Sequence, residues 1–200
     1  MGRPVTNLSK ILKSLTGPEP QDWILAILYL SPGRRVRSRI HLQKALFIAS
    51  QYMKRVSESF EFVPYKYGPW SDQVVDVLEM LSNAGKVELE EDRGVRLMDI
   101  EAGEKAVQLL SREEVQMAKE IMSLVNELDE EELLLYIYVN FGFAGKSEAA
   151  NILEKERRFK IAVRMLRKGV VSTGMAAKLA GMPYEEFLKK IKEEGLAKLA

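Results

Sequence analysis

Lys86-Val87-Glu88-Leu89-Glu90-Glu91-Asp92-Arg93-Gly94-Val95-Arg96-Leu97-Met98 decides the fold. Val87 and Leu89 alternate with charged residues, Val95 and Leu97 do the same, and Glu91-Asp92-Arg93-Gly94 lies between them. A period of two on both sides of a turn predicts a β-hairpin. Upstream the period is helical. Trp23, Ile24, Ile27, Leu28 and Leu30 make one apolar stripe behind Asp22, a candidate N-cap, and Pro32-Gly33 ends it. A second helix is expected over about 40–53, with Ile40, Leu42, Ala45, Leu46, Ala49 and Tyr52 toward the core. Ser71 caps a third, whose inner face is Val74, Val75, Leu78 and Leu81 and whose C-terminal turn is Gly85. Three helices followed by a hairpin is the order of a winged helix-turn-helix domain, with 103–110 as the helix after the wing. Residues 60–67 read as a short strand or extended loop, broken by Gly68-Pro69-Trp70.

Outside this block the chain is helical. Val5, Leu8, Ile11, Leu12 and Leu15 have helical spacing before Gly17-Pro18-Glu19-Pro20 stops them. Val115, Ala118, Ile121, Met122 and Val125 continue a 3-4 pattern to Leu128, Asp129-Glu130-Glu131 opens an apolar segment at Leu133–Val139, and a long helix is expected over about 148–168. Ser172-Thr173 caps a short helix, Gly181 turns the chain, and Pro183 opens a last helix, a pattern that fits a helix-turn-helix and an ordinary αα-hairpin alike. The expected organisation is an arm (1–21), a winged-helix domain (22–112) and a helical domain (113–200), mainly α overall with a small β-hairpin wing.

The charge is polarised. Residues 1–57 hold 10 Lys and Arg against 2 acids, residues 58–132 hold 7 against 20, and residues 133–200 hold 13 against 7, giving nets of +8, −13 and +6 within a total of +1. Residues 23–57 and 157–184 contain no acid at all. If the two basic segments share a face, they suit a polyanion, most often nucleic acid. The 46% hydrophobic content is that of a globular chain with a real core. Absence of cysteine excludes disulfides, thiolate metal sites and a cysteine nucleophile, and suits a reducing cytoplasm. Few Asn and Gln beside abundant Lys, Arg and Glu point to a thermophilic source. No export signal and no membrane-length apolar run is present.

The inventory gives little to an enzyme. Gly145-Lys146-Ser147 lacks the earlier glycine of a phosphate-binding loop, since position 140 is Asn. His41 is the single histidine, so an imidazole metal site is excluded, and it reads as a helix-start residue or a phosphate contact. The carboxylates of 88–92 and 129–132 are adjacent runs without calcium-loop spacing and read as solvated surface. No catalytic residue, metal or cofactor is expected.

Arg34, Arg35, Arg37 and Arg39 are the sharpest local signal. Four guanidiniums in six residues repel one another, and phosphate oxygens would offset that repulsion. Tyr65, Lys66, Tyr67 and Trp70 interleave aromatics with a cation, with Tyr67 and Trp70 expected in the core. Against DNA binding stands the third helix, whose polar side carries Asp72, Asp76 and Glu79 where a recognition helix would meet phosphates.

His41-Leu42-Gln43-Lys44-Ala45-Leu46-Phe47-Ile48, followed by Phe62-Val63-Pro64-Tyr65-Lys66-Tyr67-Gly68-Pro69-Trp70-Ser71, resembles the signatures of a prokaryotic winged-helix family related to the Panacea-type antitoxin domain. The resemblance covers about 22–110 and extends toward 150 through Glu132–Tyr138. Ile100 stands where that family often has a capping Thr, with Asp99 available instead. Separately, Val171–Met182 with Phe187-Leu188 and Gly195-Leu196 resembles the C-terminal half of small antitoxin-like proteins of archaea and cyanobacteria (about 165–196), where it implies a helix-turn-helix. Both resemblances imply regulation.

The resulting expectation is a cytoplasmic, homodimeric, non-enzymatic transcriptional regulator that binds double-stranded DNA. Arg34, Arg35, Arg37, Arg39, Lys44 and Lys66 would hold phosphates, Arg93 and Arg96 would be wing contacts, and Arg157, Arg158, Lys160, Arg164 and Lys178 would extend the surface. The alternative is an antitoxin-like or adaptor module that binds a partner protein, toxin-like in kind, through its acidic middle.

Overall fold

The computed structural model describes residues 17–142 and 152–194. The helix expected over 5–15, the Gly145-Lys146-Ser147 turn, the start of the helix expected from 148 and the Gly195-Leu196 end lie outside them. The described chain is mainly helical, with ten α-helices and two small antiparallel sheets. It forms two compact units, one from 17–61 with 71–123 and the other from 62–70 with 124–142 and 152–194.

The first unit opens with α1 (Pro20–Leu30). Asp22 is not its N-cap, because the helix begins two residues earlier: Pro20 supplies a helical φ at the first position, and Glu19 takes the cap. Asp22 sits one turn in, where its carboxylate accepts the Glu19 N–H at 3.0 Å. Pro32–Arg34 make a 3-10 turn, and Arg35–Val36, read from the sequence as part of the arginine cluster, form strand β1. The buried Val36 side chain explains the difference, since one apolar residue among the arginines is enough to seat the segment on the sheet. Helix α2 (Arg39–Tyr52) is capped by Ser38, whose Oγ accepts the His41 N–H at 3.2 Å. The short α3 (Lys54–Ser59) had no counterpart in the periodicity, being too brief to display one.

Strands β2 (Val63–Tyr65) and β3 (Gly68–Trp70) come next in the chain but belong to the second unit. Gly68-Pro69-Trp70 therefore does not break the extended segment. It returns antiparallel on it, with Tyr65 opposite Gly68 and Val63 opposite Trp70.

Helix α4 (Asp72–Asn83), β4 (Val87–Leu89), β5 (Val95–Leu97) and α5 (Ile100–Val107) complete the first unit's core elements. The hairpin stands where alternation placed it, with Glu88 opposite Arg96, and β1 extends the sheet along β5 in the order β1-β5-β4. Along the chain the first unit thus runs helix, strand, three helices, hairpin, helix. Asp99 caps α5 by accepting the Ala102 N–H at 2.9 Å. Trp23, Leu28, Leu42, Leu46, Phe47 and Leu81 form the centre of the core, each contributing on the order of 2 kcal/mol by leaving water.

Helix α6 (Arg112–Glu127) runs through the boundary between the units. In the second unit α7 (Glu130–Phe141), α8 (Lys155–Arg167), α9 (Thr173–Ala180) and α10 (Tyr184–Glu193) pack in series, and β3 rests on α7. Phe159 of α8 meets Phe187 of α10 edge-on, centroids 5.6 Å apart. Asp129, read from the sequence only as part of an acidic run opening the segment, is the N-cap of α7, in a reciprocal pair with Glu132.

Candidate functional site

At the hairpin, residues far apart in the sequence become ion-pair partners. The Arg35 guanidinium, carried on β1, reaches Glu90 and Asp92, each at 2.5 Å. Arg96, directly across the ladder, reaches Glu90 at 2.7 Å and Glu88 at 3.9 Å. Glu90 thus bridges the two arginines. The hydrogen bond that Arg35 donates to Glu90 holds the guanidinium above its ordinary value, and the Gly94 N–H together with Arg35 holds Asp92 below the usual carboxylate range. Gly94 makes this possible: a Cβ there would strike the Glu90 carboxylate and the Arg35 guanidinium. Arg93 adopts a left-handed φ of 73°, and its carbonyl accepts the Arg39 N–H at 3.1 Å, joining the wing to the start of α2. Arg35, Arg93 and Arg96 are accompanied by Glu88, Glu90, Glu91 and Asp92, so this patch is not a cationic one.

On α2, three polar residues of the quoted motif turn inward. His41 is buried, with Nδ1 2.8 Å from Ser38 Oγ. Lys44, expected on the surface, is 2% exposed. Gln43 holds the chain at the start of α4: its Nε2 donates to the Ser71 carbonyl at 2.8 Å and its Oε1 accepts the Ser71 N–H at 3.0 Å. The two motif stretches meet through this pair.

Helix α4, anchored in this way, buries Val74, Leu78 and Leu81 and turns Asp72, Asp76, Glu79 and Met80 to solvent. Positions 72, 76 and 79 follow i, i+4, i+7 and lie on one stripe. No cation stands on this helix.

The second unit pairs its charges more thoroughly. Glu132, read from the sequence as solvated, is 0% exposed. Its Oε2 accepts from Lys168 Nζ at 2.5 Å and from the Asp129 N–H at 2.9 Å, and its Oε1 lies 3.4 Å from Arg164 Nε. Arg164 also reaches Asp129 at 3.2 Å and Glu131 at 3.1 Å, and Arg157 pairs with Glu131. Burial pulls the Arg164 guanidinium down, but its bonds to Glu131 and Glu132 and the Asp129 charge outweigh that and hold it above its ordinary value. The Arg157 bond holds Glu131 below the usual range. Periodicity could not reveal this cluster. The one available signal was the acid run 129–132 set against the acid-free run 157–184.

Arg158 serves the C-terminal hairpin. Its Nε donates to the Leu179 carbonyl at 2.7 Å and its Nη2 to the Lys178 carbonyl at 3.1 Å, satisfying the end of α9. Burial pulls this guanidinium below its ordinary value. Lys178 reaches Asn140 at 2.7 Å. Lys160 remains exposed. In the first unit Arg34, Arg37 and Arg39 are solvent-accessible, with Arg34 5.2 Å over the Tyr29 ring. Lys66 tops the β2–β3 turn of the second unit beside Tyr67, which is 59% exposed rather than in the core. A two-residue hairpin turn has no core to offer its central side chains, which is the reason for that difference; Trp70, one strand further on, is half-buried against Tyr65.

Among the described residues no cluster of three or more His, Cys, Asp or Glu side chains could hold a metal ion, and no helix is long and apolar enough to cross a membrane. A polar cleft of about 270 Å³ between the start of α1 and α5 is lined by Asp22, Lys86, Asp99 and Lys105.

No family model and no solved structure matches the chain. A UPF0175 protein of Aeropyrum pernix is 41% identical over 44 residues, which are 22% of this chain and 49% of that protein. The similarity thus spans about half the length of that relative.

Proposed function

We propose that the chain is an antitoxin-like or adaptor module that binds a protein partner with a basic surface, through the outward face of α4. The observation that carries this reading is the charge of that helix. In the position of a recognition helix stand Asp72, Asp76 and Glu79, with no lysine or arginine. Phosphates would be repelled there, and lysines or arginines of a protein would be attracted. The wing adds to the argument, because Arg35 and Arg96 are already engaged by Glu88, Glu90 and Asp92. Met80, exposed beside the acidic stripe, supplies the apolar contact that a protein interface uses. The short similarity to a UPF0175 protein agrees with the resemblance of 165–196 to small antitoxin-like proteins. The reading involves no enzymatic step and a cytoplasmic setting.

Binding of the full chain to an amphipathic Lys/Arg-rich peptide and to a random-sequence DNA duplex tests it. The wild type binds the peptide, and Asp76→Lys with Glu79→Lys abolishes that binding while leaving the thermal midpoint nearly unchanged. Peptide binding that the charge reversal leaves unaltered would sink the reading.

A second reading, DNA binding by a transcriptional regulator, is favoured by one observation in the second unit. Lys160 and Arg167 on α8 are exposed and make no ion pair with the described residues. These cations supply affinity for phosphate without sequence choice.

A further inference from the structure

Positions 157, 160, 164, 167 and 168 follow i, i+3, i+7, i+10 and i+11, so Arg157, Lys160, Arg164, Arg167 and Lys168 occupy one side of α8 and its C-terminal cap. A continuous ridge of five cations at that spacing matches the phosphate backbone of a nucleic acid. Three of the five are occupied. Lys168 is tied to the buried Glu132, Arg164 to Asp129, Glu131 and Glu132, and Arg157 to Glu131.

The acids that hold them are not equivalent. Glu132 is buried and fixed by the capping pair with Asp129, whereas Asp129 and Glu131 have side chains 41% and 42% exposed. Arg157 and Arg164 are similarly half-exposed. Pairs of that kind are worth little in water, so several phosphates acting together can displace them. Until they do, the two carboxylates cancel the charge that phosphates would meet.

We infer that the first turn of α7 is an internal competitor for the basic ridge of α8, so that the ridge binds nucleic-acid phosphate weakly until Asp129 and Glu131 are displaced or neutralised. The inference rests on the second reading above and names a regulation of that same surface. It is independent of the acidic face of α4. Neutralisation frees Arg157 and the Nη2 of Arg164, whose Nε stays 3.4 Å from the buried Glu132, without moving Lys160 or Arg167.

The test is duplex binding by the full chain as a function of salt, with a random-sequence duplex as probe. Asp129→Asn with Glu131→Gln keeps a competent N-cap, since Asn caps as well as Asp. Two added phosphate contacts should steepen the fall in affinity between about 50 and 200 mM salt by about tenfold, with tighter binding at the lower salt. Glu130→Gln is the control. It removes a charge from the same turn without touching a described cation, and it should change affinity by less than about twofold per charge by long-range screening alone. Glu131→Gln by itself, which leaves the cap untouched, gives half the steepening and serves if the double variant loses its fold.

A gain no larger than that of Glu130→Gln would overturn the inference. If the wild type binds duplex strongly, Lys160→Ala with Arg167→Ala abolishes it, and the Asp129/Glu131 variant changes nothing, the ridge stands and the competitor does not. If no variant binds duplex even at low salt, both fall.

Discussion

Gln43 and Ser71, 28 residues apart in the chain, are joined by two hydrogen bonds that make the Gln43 amide a backbone partner for the start of α4. Both residues are almost fully buried, so neither water nor another described side chain substitutes when one is removed. Gln43→Ala leaves a buried N–H and a buried C=O unpaired. The expected cost is about 2–4 kcal/mol, which should lower the thermal midpoint by several degrees. Gln43→Glu retains the acceptor for the Ser71 N–H and loses the donor to its carbonyl, and should cost about half as much. Hydrogen exchange of the first turn of α4 locates the effect: protection there falls before protection in α1.

Arg35 is a structural residue of the wing. Arg35→Ala leaves Glu90 with Arg96 as its remaining partner and Asp92 with the Gly94 N–H. The guanidinium is partly solvated, so the loss should be roughly 1 kcal/mol, read as a lower urea midpoint at unchanged m-value. Arg34→Ala, which gives up only a cation–π contact, should cost less than half of that. Equal costs for the two would contradict the wing geometry.

Acid should loosen the cluster between α7 and α8. Glu131 titrates below its ordinary 4.5 in the folded chain because the Arg157 bond favours its ionised form. A depressed carboxyl stabilises the fold fully above the unfolded value, and that contribution disappears as pH falls through the folded value. Glu114, which burial raises but Arg55 and the Ser111 N–H lower further, behaves the same way in the first unit. The thermal midpoint should therefore be flat above about pH 5 and fall below about pH 4.5. Glu131→Gln should flatten that acid limb. A midpoint that rises on acidification would reverse the sign.

Gly181 is required twice over. Its φ is +69°, and a Cβ would come within 2.7 Å of the Arg158 guanidinium carbon. Gly181→Ala should cost roughly 2 kcal/mol. Arg158→Ala relieves the collision but unpairs the Leu179 and Lys178 carbonyls, so the double variant should be less destabilised than the sum of the two singles. Additive effects would mean that the two residues do not touch.

Local chemistry was enough to read the longer helices and the hairpin of 86–98, but not the short helix of 54–59, strand β1 or the β2–β3 pair. The alternation of 86–98 gave the hairpin, the stripes of 23–30 and 74–81 gave two helices of the first unit, and Asp99 and Ser172 were recognisable as caps because a cap bonds only a few residues along its own chain. Some misreadings came where two local signals competed, others where a partner lay far along the chain, as for the buried Glu132 and Lys168. Asp22 gave way to a proline-set start at Glu19, and Tyr67 belongs to a turn that exists only because Gly68–Trp70 folds back on Val63–Tyr65.

By itself, then, the sequence determined the period of each segment, the polarity of the charge along the chain and the acidic face of α4, all of which depend on residues within two helical turns of one another. Tertiary structure alone decided which charges remain available. Coulomb attraction acts through space, so Arg35 met Glu90 across 55 residues and Arg164 met Glu132 across 32, and these cations, unopposed in linear order, are paired in the fold.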